Sequence, residues 1–426
     1  MGINKGIINL VKKLGKEKGI DYEKTFSLNV IEGVIAVDFY LYLHKIFFVG
    51  SKVIASKLAP PFRMFEIEMF EYLINSILTD IDYFHESECT LVFVFERTLD
   101  WITKAKLVKK TRKEKVDKDI DRYLSVILNV IENDSENIIF NNNIDIDIMI
   151  DDNDDIYEDV ILNNSSKQCI EEYKNLDYIV HREKDIQNLR NAFIKTVKPS
   201  LSLITKIFEF LKEIDIPVLI SNCEGEKMCV MLREKGFVDY VYSSDTDCLA
   251  MGSRYTIKNV DKKTKSVQIV FINRILKILE LSNTQFMDLC IMCGCDFNTN
   301  IPKIGPVTAY NYIKSSKNYE DVYSLINYPN PNTRKPLKRE DFECVNYELC
   351  KRLFDIDIDI HESIIDGSNS FYSILSESDS YESSKHLEDR KSFEHNIDLE
   401  EIFKRRLNKE IDEMRSGIKK YLDYNR

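Results

Sequence analysis

The chain has 426 residues, 44% hydrophobic and 31% charged, which allows a large buried core and excludes wholesale disorder. Its formal charge of −12 excludes a uniformly basic nucleic-acid wrapper, but the deficit is local: residues 132–159 hold eleven acids and no base, leaving the remainder near −1. No run of eighteen apolar residues offers a membrane span, because the richest stretch, Val34 to Val49, is broken by Asp38, His44 and Lys45.

In chain order, Val34-Ile-Ala-Val-Asp38 reads as a strand ending on an acid, and Leu91-Val-Phe-Val-Phe-Glu96 repeats the pattern. Residues 101–118 follow with eight basic and two acidic side chains. The acidic, Asn-rich stretch up to Asp159 comes next and reads as an inserted loop or lid. Helical patterning runs from Glu171 to Ile214. Pro217-Val-Leu-Ile-Ser221 is a third strand that leads into Cys223-Glu224-Gly225-Glu226. Tyr240-Val-Tyr242 is a fourth, leading into Ser244-Asp245-Thr246-Asp247. A helix pair is expected over Thr284–Cys293 and Val307–Ser315. Beyond about 360 the chain turns Ser- and acid-rich, then ends in a helical pattern from Leu399 to Tyr424. Unalternating apolar strands suit a sheet buried on both faces, so the expected fold is α/β: a twisted, mostly parallel sheet flanked by helices. The expected divisions are 1–131, a flexible acidic insert at 132–170, 171–330, and a C-terminal extension at 331–426.

In such sheets ligands sit beyond the carboxyl ends of the strands, where these acids would gather. Glu224/Glu226 and Asp245/Asp247 each place two carboxylates two residues apart at a strand-to-helix junction. Like charges crowded together need cations between them, and hard oxygen donors suit Mg²⁺ or Mn²⁺. Each pair read alone is more readily a solvated surface or a helix cap. Two pairs together with Asp38, Glu96 and Asp296, all ending apolar segments, favour a metal site. Ile301-Pro302-Lys303-Ile304-Gly305-Pro306 joins the helix pair with a turn that is either a bare helix-hairpin connection or, near Lys303 and Gly305, a place for a DNA phosphate. Lys104, Lys106, Lys109, Lys110, Arg112 and Lys113 lie just beyond an acid-capped strand, where a phosphodiester would need cations; an isolated run of this kind would be a solvated helix face. Cys290, Cys293 and Cys295 have a spacing compatible with zinc, but their apolar setting favours packing thiols. Ten cysteines without an apolar signal sequence point to reduced thiols in a cytosol-like compartment.

Cys223-Glu-Gly-Glu226, Tyr242-Ser-Ser-Asp245-Thr-Asp247-Cys-Leu-Ala-Met-Gly252, and Phe286 through Asp296-Phe, followed by the Ile301–Pro306 turn, resemble the flap endonuclease (structure-specific 5′ nuclease) family. Met1-Gly2-Ile3 is also similar, and the acidic block and AT-rich coding look most like the poxvirus members. The resemblance implies a PIN-like 5′-nuclease fold with a helix–three-turn–helix DNA-binding subdomain. It further implies two Mg²⁺ ions, replaceable by Mn²⁺, held by Asp38, Glu96, Glu224, Glu226, Asp245, Asp247 and Asp296. Lys104, Lys110 and Arg112 become catalytic cations, while Gly2, Lys303, Gly305, Lys106, Lys109 and Lys113 contact DNA, with K⁺ at the helix–three-turn–helix carbonyls.

The implied activity is Mg²⁺-dependent 5′ flap endo- or exonuclease cleavage of branched DNA in viral replication, double-strand-break repair and recombination. The implied setting is the host cytoplasm or virion, among other viral replication proteins. Glu96 stands where the family usually has Asp, Arg97 replaces a usual Gly, and no sliding-clamp box is found. Two rival readings remain open: a non-catalytic DNA-junction scaffold, and a different metal enzyme built on Asp245-Thr-Asp247 alone.

Overall fold

The computed structural model describes residues 5–58, 62, 64–96, 118, 122, 125–126, 183–295, 298, 300–301, 304–315, 345–357 and 360–379. The chain divides into two compact units. Unit 1 is Met1–Tyr42, Thr79–Val108 and Phe208–Ser392, and unit 2 is Leu43–Leu78, Lys109–Ile207 and Phe393–Arg426.

The strands are β1 (Glu23–Ser27), β2 (Gly33–Asp38), β3 (Cys89–Glu96), β4 (Val218–Ser221), β5 (Tyr240–Tyr242), β6 (Tyr255–Asp261), β7 (Ser266–Phe271) and β8 (Ile364–Gly367). The helices are α1 (Lys5–Lys18), α2 (Phe39–Lys57), α3 (Phe65–His85), α4 (Glu183–Thr196), α5 (Leu201–Glu213), α6 (Gly225–Glu234) and α7 (Asp247–Ala250). They continue with α8 (Ile272–Leu279), α9 (Asn283–Cys293), α10 (Pro306–Ser315), α11 (Tyr347–Phe354), α12 (Ile360–Ser363) and α13 (Asn369–Asp379).

Unit 1 holds one eight-stranded sheet in the order β1-β7-β6-β5-β2-β3-β4-β8. The five central strands, β6 to β4, run parallel, while β7, β1 and β8 join antiparallel at the margins. This is the expected mostly parallel α/β sheet, and all four strands read from the sequence lie in its centre. Their apolar runs are continuous because both faces are covered. Ala36, Val92, Val94, Leu219 and Val241 share one core with α1, α6, α8 and α9. Phe39 stacks on Phe95 at 3.8 Å, and Phe208 meets Phe95 edge-on at 5.1 Å on the opposite face.

The strand order reverses at β2, with β3 and β4 extending one way and β5 and β6 the other, the topology that places a ligand crevice beyond the carboxyl end of β2.

The helices expected at 284–293 and 307–315 are α9 and α10. Ser282 starts α9 with a reciprocal capping box: its side chain accepts from Gln285 N, and Gln285 returns a bond to Ser282 N. Two fully formed helices, α4 and α5, fall within the expected 171–214 stretch, whose first part lies outside the described residues, as do the acidic insert and the 399–424 helix. Residues 345–379, read from sequence as extension, instead supply α11, α12, α13 and the edge strand β8.

Unit 2 is held by an aromatic cluster. Phe193 stacks on Phe62 at 4.3 Å and meets Phe65 edge-on at 4.9 Å, while Phe65 also contacts Phe47. No helix among the described residues is long and apolar enough to cross a membrane.

Candidate active site

The crevice beyond β2 is lined by carboxylates delivered by four strand ends. Asp38 closes β2, Glu96 closes β3, Glu224 and Glu226 follow β4 at the start of α6, and Asp245 and Asp247 follow β5 at the start of α7. Asp38, Glu224, Glu226, Asp245 and Asp247 are only 1–8% exposed, while Glu96 is half-buried. Burying a carboxylate costs free energy unless the charge is compensated. Helix starts supply part of that compensation: Asp38, Glu224 and Glu226 all sit at or within the first turn of α2 or α6, facing the positive end of a helix dipole.

Hydrogen bonds orient several of these side chains. Leu41 N lies 3.5 Å from Asp38 Oδ1, and Ser243 Oγ donates to Asp38 Oδ2 at 3.4 Å. Ser243 Oγ also accepts from Asp245 N at 3.1 Å, and Asp245 Oδ1 accepts from Asp247 N at 3.0 Å. Gly225 N donates to Glu96 Oε2 at 3.1 Å, joining the β3 acid to the glutamate turn. A Cβ at Gly225 would stand 3.2 Å from Asp38 Oδ1, so a side chain between the two glutamates would press on the Asp38 carboxylate.

The electrostatics show convergence. Burial pushes the Asp38 carboxyl well above its usual range, and the nearby Glu226, Glu96 and Asp245 carboxylates push it further. The buried thiols of Cys229 and Cys248 are raised first by burial and then by these same acids.

The donor set is all oxygen and mutually repulsive, which fits a hard divalent cation in chemistry. Among the described residues no three such side chains stand close enough to hold an ion unaided, and Asp296 lies outside them. Gly2, Lys303 and the six basic residues Lys104, Lys106, Lys109, Lys110, Arg112 and Lys113 also lie outside.

Around the expected helix–three-turn–helix, Ile301 and Ile304 are buried and anchor the turn, and Gly305 O accepts from Ala309 N as α10 begins. Asn300 Nδ2 donates to both Ile301 O at 3.0 Å and Ile304 O at 3.1 Å. Cys290 and Cys293 are core residues, with thiols pushed up by burial, as expected of packing cysteines.

Residues 215–296 match the family model described as the XPG I-region, a segment that contains Glu224, Glu226, Asp245 and Asp247 and ends on Asp296. The resemblance to flap endonucleases holds. Flap endonuclease 1 of Theileria parva is 32% identical over 144 residues, covering 34% of this chain and 29% of the relative. A viral protein, "Probable RAD2-like endonuclease 369L" of Invertebrate iridescent virus 6, is 34% identical over 137 residues, covering 30% and 32%. The matches thus span about a third or less of the curated relatives' length. Among solved structures, the catalytic core of Rad2 in complex with DNA substrate aligns over 92% of this chain and 90% of its own, at 16% identity and TM-score 0.46.

Sequence reasoning missed Ser243, which bonds both Asp38 and Asp245, and the contact between Gly225 and Glu96. A small residue between paired acids and a hydroxyl two positions before Asp245 were the available signals.

Proposed function

We propose that this chain is a divalent-cation-dependent nuclease that hydrolyses phosphodiester bonds in branched DNA, flap DNA foremost. The observation that carries the reading is the gathering of carboxylates from three other strand ends, Glu96, Glu226 and Asp245, around the buried Asp38. Asp38, Glu96, Glu224, Glu226, Asp245 and Asp247, with Asp296, would hold Mg²⁺ or Mn²⁺, which when bound supplies a water of lowered pKa and charge stabilisation at the scissile phosphate.

The chain's own residues prepare that site. Ser243 and the Asp247 N–H hold Asp245 in place, and Gly225 N–H orients Glu96. Lys104, Lys110 and Arg112 are assigned to the reacting phosphate, and Gly2, Lys106, Lys109, Lys113, Lys303 and Gly305 to the DNA backbone, on sequence grounds. Action in viral replication, repair and recombination in host cytoplasm belongs to the same proposal, supported by the match to a viral relative.

The test is end-labelled 5′-flap, nicked and four-way-junction DNA incubated with Mg²⁺ or with EDTA. The parent is expected to cut the flap only with Mg²⁺. Asp247→Asn should retain flap affinity while its single-turnover rate falls on the order of 10³-fold or more. Flap binding that survives EDTA with no strand cut under any condition would replace the nuclease reading with a junction scaffold.

A further inference from the structure

Lys227 follows Glu226 in the first turn of α6, and it is only 6% exposed. Two costs attach to that placement. An ammonium withdrawn from water loses its hydration, and a cation in a helix's first turn faces the positive end of the dipole. Alanine there would start the helix with neither cost.

The compensation comes from an element 125 residues further along the chain. Lys227 Nζ donates to Arg352 O at 3.3 Å, near the carbonyl end of α11, where a dipole favours a cation. Asp355, the C-cap residue of α11, and Glu224 also attract the ammonium. The same C-terminal segment grips the backbone just before the glutamates. Asn222 N donates to Ser363 O at 3.0 Å, and Ser221 pairs with Ile364 across β4 and β8. α11, α12 and β8 all lie beyond the segment that matches the XPG I-region.

We propose that Lys227 is a positioning residue: its ammonium, pinned between the carbonyl end of α11 and the Glu224–Glu226 turn, holds both glutamates in place for the divalent cation. The proposal rests on the cation-binding reading above and adds that the 345–367 segment sets metal affinity through one buried charge.

The experiment compares the parent with Lys227→Met, which keeps the stem and drops the charge, and Lys227→Arg, which keeps the charge. Mn²⁺ alone is titrated into each protein by calorimetry, Tm is measured in EDTA, and flap cleavage gives kcat and KM. Lys227→Met is expected to weaken Mn²⁺ binding about 10–100-fold and to lower kcat with KM for flap DNA within about twofold; Tm in EDTA falls as well, because Arg352 O, Asp355 and Glu224 lose their cation. Lys227→Arg is expected to recover most of the Mn²⁺ affinity. Mn²⁺ affinity of Lys227→Met within about twofold of the parent, or a Lys227→Arg protein that regains Tm but not Mn²⁺ affinity, overturns the proposal. A parent that binds Mn²⁺ but cuts no DNA overturns the nuclease reading alone, and a parent that binds no Mn²⁺ overturns both.

Discussion

Two of the aspartates buried in unit 1, Asp80 and Asp38, have opposite surroundings. Asp80, near the end of α3, is met by Tyr42 Oη, which donates to its Oδ2 at 2.9 Å, and by the ammonium of Lys262, which pairs with its Oδ1. Asp38, four residues before Tyr42, has Glu226, Glu96 and Asp245 as its charged neighbours. Asp80 is satisfied: a hydroxyl and a cation offset its desolvation. Asp38 is frustrated, because its neighbours raise the free energy of its ionised form. Buried charge that the fold satisfies serves stability, whereas buried charge that the fold leaves opposed is a candidate for function.

Replacing each with asparagine breaks that comparison most strongly. Asp38→Asn is expected to lower flap cleavage on the order of 10³-fold or more while Tm in EDTA stays level or rises, since the repulsion is relieved. Asp80→Asn is expected to do the reverse. It leaves Lys262 and Tyr42 with a weaker partner, lowers stability by about 1–3 kcal/mol, and keeps single-turnover cleavage of the folded protein within a few-fold of the parent. If Asp80→Asn loses cleavage at unchanged Tm, or Asp38→Asn loses stability, the division between the two sites collapses.

A third buried acid sharpens the point at lower stakes. Asp288 in α9 is fully buried and accepts from Tyr347 Oη of α11 at 2.7 Å. Tyr347→Phe removes the donor and is expected to cost about 1–3 kcal/mol in urea unfolding. Because α11 also carries Arg352, part of that loss should reappear as weaker Mn²⁺ binding if α11 braces the glutamate turn. A Tyr347→Phe protein with parental stability would show that Asp288 has another sufficient partner.

What the sequence made legible follows the same division. β2, β3, β4 and β5 were readable because a strand buried on both faces is an unbroken apolar run, a local signal, and the acids closing those runs were readable with them. β1 and β8 were not, since Glu-Lys-Thr-Phe-Ser and Ile-Ile-Asp-Gly are short edge segments whose strand character comes from pairing with β7 and β4. The β6–β7 hairpin was hidden because its polar positions interrupt the apolar ones, as in Thr256-Ile-Lys-Asn-Val-Asp261. The carboxylates of the candidate site could be read in pairs two residues apart. Their supports could not: Lys227 finds Arg352, Asn222 finds Ser363, and Asp80 finds Lys262 only through the tertiary fold. Spacing reveals residues that act together from one turn, and it is silent on partners more than a hundred positions apart.

The smallest effect is expected where a satisfied acid lies at the surface. Glu280, the left-handed C-cap of α8, accepts from Lys18 at the end of α1 at 2.5 Å and from Lys314 at the end of α10 at 2.7 Å. These two hydrogen-bonded lysines pull its carboxyl from the ordinary 4.5 down to about 2. A carboxyl held lower in the folded state than in the unfolded one releases its proton more readily when folded. Its contribution is therefore complete above the ordinary carboxylate range and disappears as pH falls toward about 2. Glu280 is exposed, so water and salt screen most of that contribution. Glu280→Gln is expected to shift Tm slightly at pH 7 in low salt, less in high salt, and not at all below the folded-state value. A large loss of Tm at pH 7 that persists in high salt would mean that the three helix ends depend on Glu280 for packing rather than for charge.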